Sequence, residues 1–261
     1  PIKDLKFRTT LGLKRAFWGD ESFTPKFFLS NNVNTVQNNL SRNTNETFGW
    51  NLENTLAYTK GIGDHNFTLL LGQGFYVDNH SSGTSVTFQN LPVNNYQDAS
   101  FNFPIPLAQK IGSAYTSLDH KVNSLFSRLN YNYREKYLLT GIVRRDGSSR
   151  FGSNNKYGVF PSFSAGWVLS KEGFWKANDV VNTLKLRGGY GITGNDAIGD
   201  SGFLALIGGG RNYTFGTSGS VVSSGNSPNA PANQDLKWEE TSQLNVGFDA
   251  KLFNDFTLTM E

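Results

Sequence analysis

Nine stretches of the sequence alternate apolar and polar residues with a period of two, and this pattern constrains the fold more than any other feature. In the first stretch Leu5, Phe7 and Leu11 fall on one face of an extended strand, and Lys6 and Arg8 fall on the other. The remaining eight lie at residues 48–59, 67–75, 124–133, 137–143, 163–169, 184–192, 244–250 and 256–260. The chain is therefore predicted to be all-β, with strands that have one apolar and one polar face.

The connections between these strands are of two unequal kinds. Short turns are expected near residues 61, 135, 176 and 254, and they alternate with long polar loops at about 20–46, 77–120, 145–157 and 195–236. Antiparallel transmembrane β-barrels of the outer membrane have this asymmetry, with short periplasmic turns and long extracellular loops. A soluble sandwich or propeller is the alternative, but its strands average about 5 to 6 residues with comparable loops at both ends.

Composition narrows the classes of function. The chain contains no Cys, which excludes a disulfide scaffold and a thiol nucleophile, and its three His are isolated in sequence, so no metal site is predicted. The net charge of +3 comes without dense basic runs, so nucleic acid is not an expected partner. Residues 189–194 fit a G-x-G-x-x-G pattern, but no helical pattern follows them. We expect no enzyme activity and no cofactor.

Segments rich in Gly, Arg and aromatic residues recur in a fixed order along the chain, and as a set they are specific. They are Leu125–Tyr131, Tyr137–Gly141, Arg144–Gly152, Phe160–Trp167, Leu186–Asn195 and Asn233–Thr241, with Trp50–Leu56 and Leu70–Gln73 nearer the start. Together they resemble the barrel of the SusC/RagA family of TonB-linked (TonB-dependent) outer-membrane transporters of Bacteroidetes. The resemblance spans most of the chain.

This resemblance implies a 22-stranded barrel that is plugged by an N-terminal domain, capped by a SusD-like surface lipoprotein and energised by TonB. Such a transporter imports oligomeric nutrients, glycans or peptides, and its barrel contacts outer-membrane lipid and lipopolysaccharide. We expect residues 1–261 to form one partial barrel domain of about nine strands, lacking the plug domain, the TonB-contacting N-terminal part and the C-terminal strands. The alternative function is a structural or assembly subunit of a larger outer-membrane complex built on such a barrel. A soluble, secreted glycan-binding protein is a third.

Three arginines are candidate ligand-binding residues at the end of one predicted strand. Arg144, Arg145 and Arg150 could grip an anionic substrate or lipopolysaccharide phosphates, because guanidinium groups pair bidentately with such anions. The alternative is that they pair with Asp146 and with carboxylates of the loops to order the junction between strand and loop. On this second hypothesis, charge reversal at Arg144 or Arg145 impairs assembly more than ligand affinity.

Aromatic residues in or beside the predicted long loops are candidate contacts for a ligand or for the lipoprotein lid. Their rings could stack on sugars or pack against the lid, and packing within the loops is the alternative. These residues are Trp18, Phe88, Tyr96, Tyr115, Tyr213 and Phe215. A second aromatic set is predicted to form lipid-facing or interfacial girdles, which indicate a membrane but no particular substrate: Trp50, Tyr58, Tyr137 and Trp167.

Overall fold

The computed structural model describes residues 3–30, 33–176, 179–200, 202–215 and 221–261. Within them the chain forms sixteen strands: β1 Leu5–Thr24, β2 Phe27–Ser30, β3 Val33–Thr35, β4 Asn39–Ile62, β5 His65–Gln89, β6 Lys110–Thr116, β7 His120–Tyr133, β8 Tyr137–Ser148, β9 Tyr157–Val168, β10 Val181–Asn195, β11 Ile207–Gly208, β12 Tyr213–Phe215, β13 Val221–Ser223, β14 Ser227–Pro228, β15 Glu239–Leu252 and β16 Phe256–Met260. Two single 3₁₀ turns occur at Leu107–Gln109 and Leu169–Lys171. The all-β prediction is confirmed. Among the described residues, no helix has the length and apolarity needed to cross a membrane.

One large sheet contains most of the strands, in the order β1-β4-β5-β7-β8-β9-β10-β15-β16, and β6 pairs with β5 beside this path. The nine strands of the path correspond to the nine predicted stretches. Neighbours from β7 onward pair antiparallel. Three small two-stranded sheets, β2–β3, β11–β14 and β12–β13, lie within the connections. These pairings confirm the prediction of an antiparallel sheet.

By its contacts the chain divides into two units. The first unit comprises Pro1–Leu11, Leu52–Tyr76 and Lys121–Glu261, and the second comprises Gly12–Asn51 and Val77–His120.

The register of the first unit separates an apolar from a polar face. Leu129 pairs with Gly141 across β7 and β8, and the next pair, Asn130 and Thr140, points to the opposite side, where the Thr140 hydroxyl donates to Asn130 Oδ1 over 3.1 Å. Side chains on the apolar face are widely exposed, at 46% for Leu129 and 51% for Val143. A continuous exposed apolar face is costly in water and suits contact with lipid.

The short turns of the first unit carry aromatic rings and ion pairs. On the apolar face, Tyr137 stacks near Tyr133 and Trp167, with ring centroids 6.2 and 6.4 Å away. Adjacent connections are linked by three ion pairs: Arg134–Asp64, Lys171–Glu135 and Lys136–Glu172. Aromatic rings beside charged turns are the arrangement expected at the edge of the membrane's apolar layer.

Several strands are longer than predicted, and two predicted loops are correspondingly shorter. β1 continues to Thr24 and β4 begins at Asn39, so the loop predicted at 20–46 shrinks, and β5 runs to Gln89 into the loop predicted at 77–120. A tilted crossing of the apolar layer needs only about 9 to 11 residues. The 20 to 25 residues of β1, β4 and β5 therefore extend well beyond it. Backbone ladder bonds do not need apolar side chains, which is why periodicity missed these extensions.

A small core in the second unit is built from strand and loop residues together. Leu40 of β4 and Phe88 of β5 are buried with Leu91, and the loop after β5 covers them with further apolar side chains, including Phe101 and Phe103. The Phe88 and Phe101 rings meet edge to face at 5.1 Å. This loop thus lies against one face of the second unit, which we call its covered face.

Candidate functional site

Arg144 lies on the polar face of the first unit and is held by neighbours on that face. Its Nε donates to both carboxylate oxygens of Asp146 at 2.8 and 2.6 Å, and Nη2 donates to Ser124 Oγ at 2.8 Å. Asp146 and Ser124 are buried. Strand alternation explains the pair, because residues two apart on β8 share a face.

Arg145 and Arg150 do not join Arg144 in one cluster. Arg145 has the opposite parity on β8 and stacks over the Tyr157 ring, 3.8 Å from its centroid. Arg150 lies beyond β8, where it pairs with Asp200 at 2.9 Å and donates to the carbonyl oxygen of Asp196. The arrangement favours the ordering of strand and loop over a joint grip on one anion, and its effect on assembly stays a prediction.

An aromatic cluster that the strand periodicity does not reveal anchors two loops in the first unit. Phe151, Phe160 and Trp238 are buried together, and the Trp238 ring lies 5.2 and 5.3 Å from the two Phe rings. Trp238 Nε1 also donates to the carbonyl oxygen of Lys156. All three lie in or beside the segments that carried the family resemblance, which was the available signal.

The second unit brings two of the predicted aromatic candidates to one face. Tyr115 of β6 donates its hydroxyl to Asn45 Oδ1 at 3.2 Å, and its ring lies over Gly83, which pairs with it in the sheet. Trp18 and Asp20 lie two positions apart on β1, so their side chains point to the same face. The Asp20 carboxylate accepts a hydrogen bond from Asn43, and Asn43 and Asn45 share one face of β4. Trp18 and Tyr115 therefore share a face, which we call the open face.

The remaining aromatic candidates lie elsewhere. Tyr96 donates to Glu21 Oε1 at 3.3 Å from the loop after β5, and Phe88 was expected beside a loop but is a buried strand residue of the covered face. Tyr213 belongs to the β12–β13 hairpin and is largely exposed. The side chain of Phe215 lies outside the described residues.

The polar face of the first unit contains a shallow groove of about 430 Å³. Its lining includes Lys185 and Arg187 of β10 together with Glu261. Arg187 Nη1 lies 2.9 Å from Glu261 Oε1, and Asp249 lies 3.4 Å from Arg187 Nε and 3.8 Å from Lys185 Nζ. Both cations are thus compensated by carboxylates, and the groove presents a polar wall with little net charge.

Glu172, in the connection between β9 and β10, is the most strongly perturbed acid at the short turns. Hydrogen bonds from the Tyr137 hydroxyl and from Trp167 Nε1, the latter at 3.0 Å, lower the pKa of its carboxyl from 4.5 to about 2, and Lys136 Nζ at 3.2 Å adds to the shift. The carboxylate therefore stays ionised and holds two aromatic side chains in place. Within the described ranges no group of three His, Cys, Asp or Glu is placed to hold a metal ion.

Comparison with known families gives one match over nearly the whole chain. The family model described as "TonB dependent receptor-like, beta-barrel" matches residues 3–260. A TonB-dependent receptor of Formosa agariphila is 36% identical over 256 residues, which cover 95% of this chain and 23% of that protein. The TonB-dependent receptor SusC of Bacteroides thetaiotaomicron is 33% identical over 225 residues, covering 80% of this chain and 21% of SusC.

Solved structures share the fold. The structure of the RagAB peptide transporter superposes with a TM-score of 0.78 at 24% identity, covering 98% of this chain and 27% of the matched chain. The RagAB peptide importer in its "open-open" state gives the same TM-score at 25% identity. The chain thus spans about a quarter of the length of the proteins that it matches.

Proposed function

Because the chain belongs to the β-barrel family of TonB-dependent receptors, whose barrels lie in the outer membrane, we propose that it forms wall strands of a SusC-like transporter that imports oligomeric nutrients. The proposed activity is transport of an intact ligand, and no chemical step is assigned to the chain's residues. Glycans and peptides are both within the proposed substrate class. One solved relative is named a peptide transporter.

The observation that carries this proposal is the two-faced sheet of the first unit. Its exposed apolar face, with Leu129 and Val143, suits lipid, and its polar face, with Arg144 and the groove at Lys185 and Arg187, suits a water-filled or protein-filled interior.

We also propose two protein partners. A SusD-like surface lipoprotein would cover the extracellular side, and TonB would supply energy through a part of the full-length protein that these residues do not include. Both follow from family membership, and support for the first comes from the likeness to SusC and to RagAB. Outer-membrane lipid and lipopolysaccharide are the proposed surroundings of the apolar face.

Uptake in a deletion strain tests the proposal. Cells that lack the gene should fail to import a fluorescent oligomer that wild-type cells take up, and the full-length gene should restore import. A protonophore should abolish the restored uptake, because TonB transmits energy from the inner membrane. Normal uptake combined with sensitivity to detergent and to large antibiotics would contradict transport and favour the alternative, a structural or assembly subunit of a larger outer-membrane complex.

A further inference from the structure

The open face of the second unit holds an aromatic ring fixed flat against the sheet. A Cβ on Gly83 would clash with Asn45 Oδ1 and with Cε1 of Tyr115, so only glycine lets the Tyr115 ring rest directly on the backbone. The hydroxyl hydrogen bond to Asn45 fixes the other end of the ring. The outer side of the ring remains accessible, and 53% of Tyr115 is exposed.

A second exposed ring lies on the same face at a defined distance. The hydrogen bond between Asp20 and Asn43 aligns β1 with β4. Two residues earlier on β1 and two residues later on β4, this alignment places Trp18 opposite Asn45. Trp18, Asn45, Gly83 and Tyr115 then form one row across β1, β4, β5 and β6. The Tyr115 ring lies over Gly83 of β5 and its hydroxyl reaches Asn45 of β4, so the ring stands about two interstrand steps, roughly 10 Å, from the position of Trp18 on β1. Trp18 is 49% exposed.

The surroundings of this row are polar, and the two charged side chains that β1 adds to the face, Lys14 and Asp20, have opposite signs. Along β4 and β5, Ser41 bonds to Thr87 at 2.9 Å and Thr47 bonds to Ser81 at 2.9 Å. The acid of the face, Asp20, accepts its bond from a neutral amide.

The charged pairs of these strands lie on the other side. Arg15 pairs with Glu46, and Arg42 pairs with Glu21; all four side chains point to the covered face. There Arg42 also stacks on Phe101 of the covering loop. The loop packs on that side through Leu40 and Phe88. The open face is therefore the side on which the second unit presents its neutral hydrogen-bonding groups.

We propose that the row from Trp18 to Tyr115 is a subsite for a neutral oligosaccharide of at least three sugar units. Aromatic rings offer apolar area to the C–H faces of pyranose rings, and the Asn45 amide between them and the hydroxyls beside the row match the donors and acceptors of a sugar. On β1, Trp18 points to the same side as Lys14, which belongs to the polar set of that strand. An extended peptide is the weaker match, because peptides join a sheet by pairing along a strand edge, whereas both rings lie on the face of the sheet.

This inference rests on the proposed function, because it names the substrate class of the same transporter. The test uses the full-length receptor, purified with its lipoprotein partner, and isothermal titration with five hexasaccharides: malto-, cello-, laminari-, xylo- and mannohexaose. We expect at least one to bind, and we expect Trp18→Ala and Tyr115→Ala each to weaken that binding about tenfold or more. Tyr115→Phe keeps the ring but removes its hydrogen bond to Asn45, so the decrease in sugar affinity should be smaller than for Tyr115→Ala.

Phe17→Ala is the matched control. Phe17 is the chain neighbour of Trp18, is 66% exposed and points to the opposite face, so its removal should leave affinity unchanged. Sugar binding that survives both aromatic replacements overturns the subsite and leaves oligomer import intact. Failure of all five sugars to bind, or binding of a tryptic peptide mixture that these replacements weaken instead, overturns the sugar assignment. Loss of the proposed function itself would appear separately, as unchanged uptake in the deletion strain.

Discussion

Replacing Leu129 with Arg should lower the free energy of unfolding of the full-length receptor by about 2 to 4 kcal/mol, the cost of Arg on the lipid face near the bilayer midplane. Leu129 pairs with Gly141, four residues along β8 from Tyr137, whose ring stacks near Trp167 beside the short turns. At about 3.3 Å per residue and a tilt of about 40°, this places Leu129 roughly 10 Å inside an apolar band about 25 Å tall. The equilibrium constant for folding should therefore fall roughly 30- to 700-fold.

Asn130→Arg is the control for this prediction. Asn130 is the next residue along β7 and points to the polar face, so the new charge should remain solvated, and the loss of the Thr140 hydrogen bond should cost only about 1 kcal/mol. Urea titration of both variants, refolded in phosphatidylcholine vesicles and followed by tryptophan fluorescence, measures the difference. An equal or larger loss for Asn130→Arg would refute the assignment of the two faces.

Three further predictions concern the turns and loops. Because the folded pKa of Glu172 is lowered to about 2, the stabilisation that its carboxylate provides is present above the ordinary pKa of 4.5 and is lost as pH falls toward 2. The difference in urea midpoint between wild type and Glu172→Gln should therefore be constant above about pH 5 and vanish on acidification. Arg144→Glu should reduce the heat-modifiable, folded fraction in membranes far more than Arg145→Glu, because it sets a second carboxylate beside buried Asp146; equal effects would contradict this. Trp238→Ala should cost about 3 to 5 kcal/mol of local stability and open the loop between β10 and β15 to protease on intact cells, whereas a wild-type cleavage pattern would count against the anchor.

The sequence predicted the membrane-crossing part of the sheet well, for a physical reason. Where one face meets lipid, alternate positions must be apolar, and Leu129, Tyr131 and Leu139 keep that rule strictly. Beyond the lipid the rule lapses, so the continuation of β1 to Thr24 and of β5 to Gln89 left no periodic signal. Those extensions are held by backbone hydrogen bonds, which any side chain permits.

The candidate site was predicted only in its residue types. Strand parity alone could have separated Arg144 from Arg145, since neighbours on a strand face opposite sides. The partners of Arg150 and the loop that covers Phe88 depend on contacts between residues far apart in sequence, which no local pattern encodes. Trp18 and Tyr115 lie 97 positions apart, and only the order of β1, β4, β5 and β6 brings them to one face.

A cysteine scan along β8 tests the central claim, that this sheet separates lipid from a polar interior. The chain has no native Cys, so single cysteines at positions 138 to 143 of a full-length receptor freed of any other cysteine can each carry a fluorophore. We predict that nitroxide-labelled lipids quench the fluorophore at 139, 141 and 143, and that a water-soluble quencher reaches it at 138, 140 and 142. Uniform quenching by either reagent, with no alternation, would contradict the account.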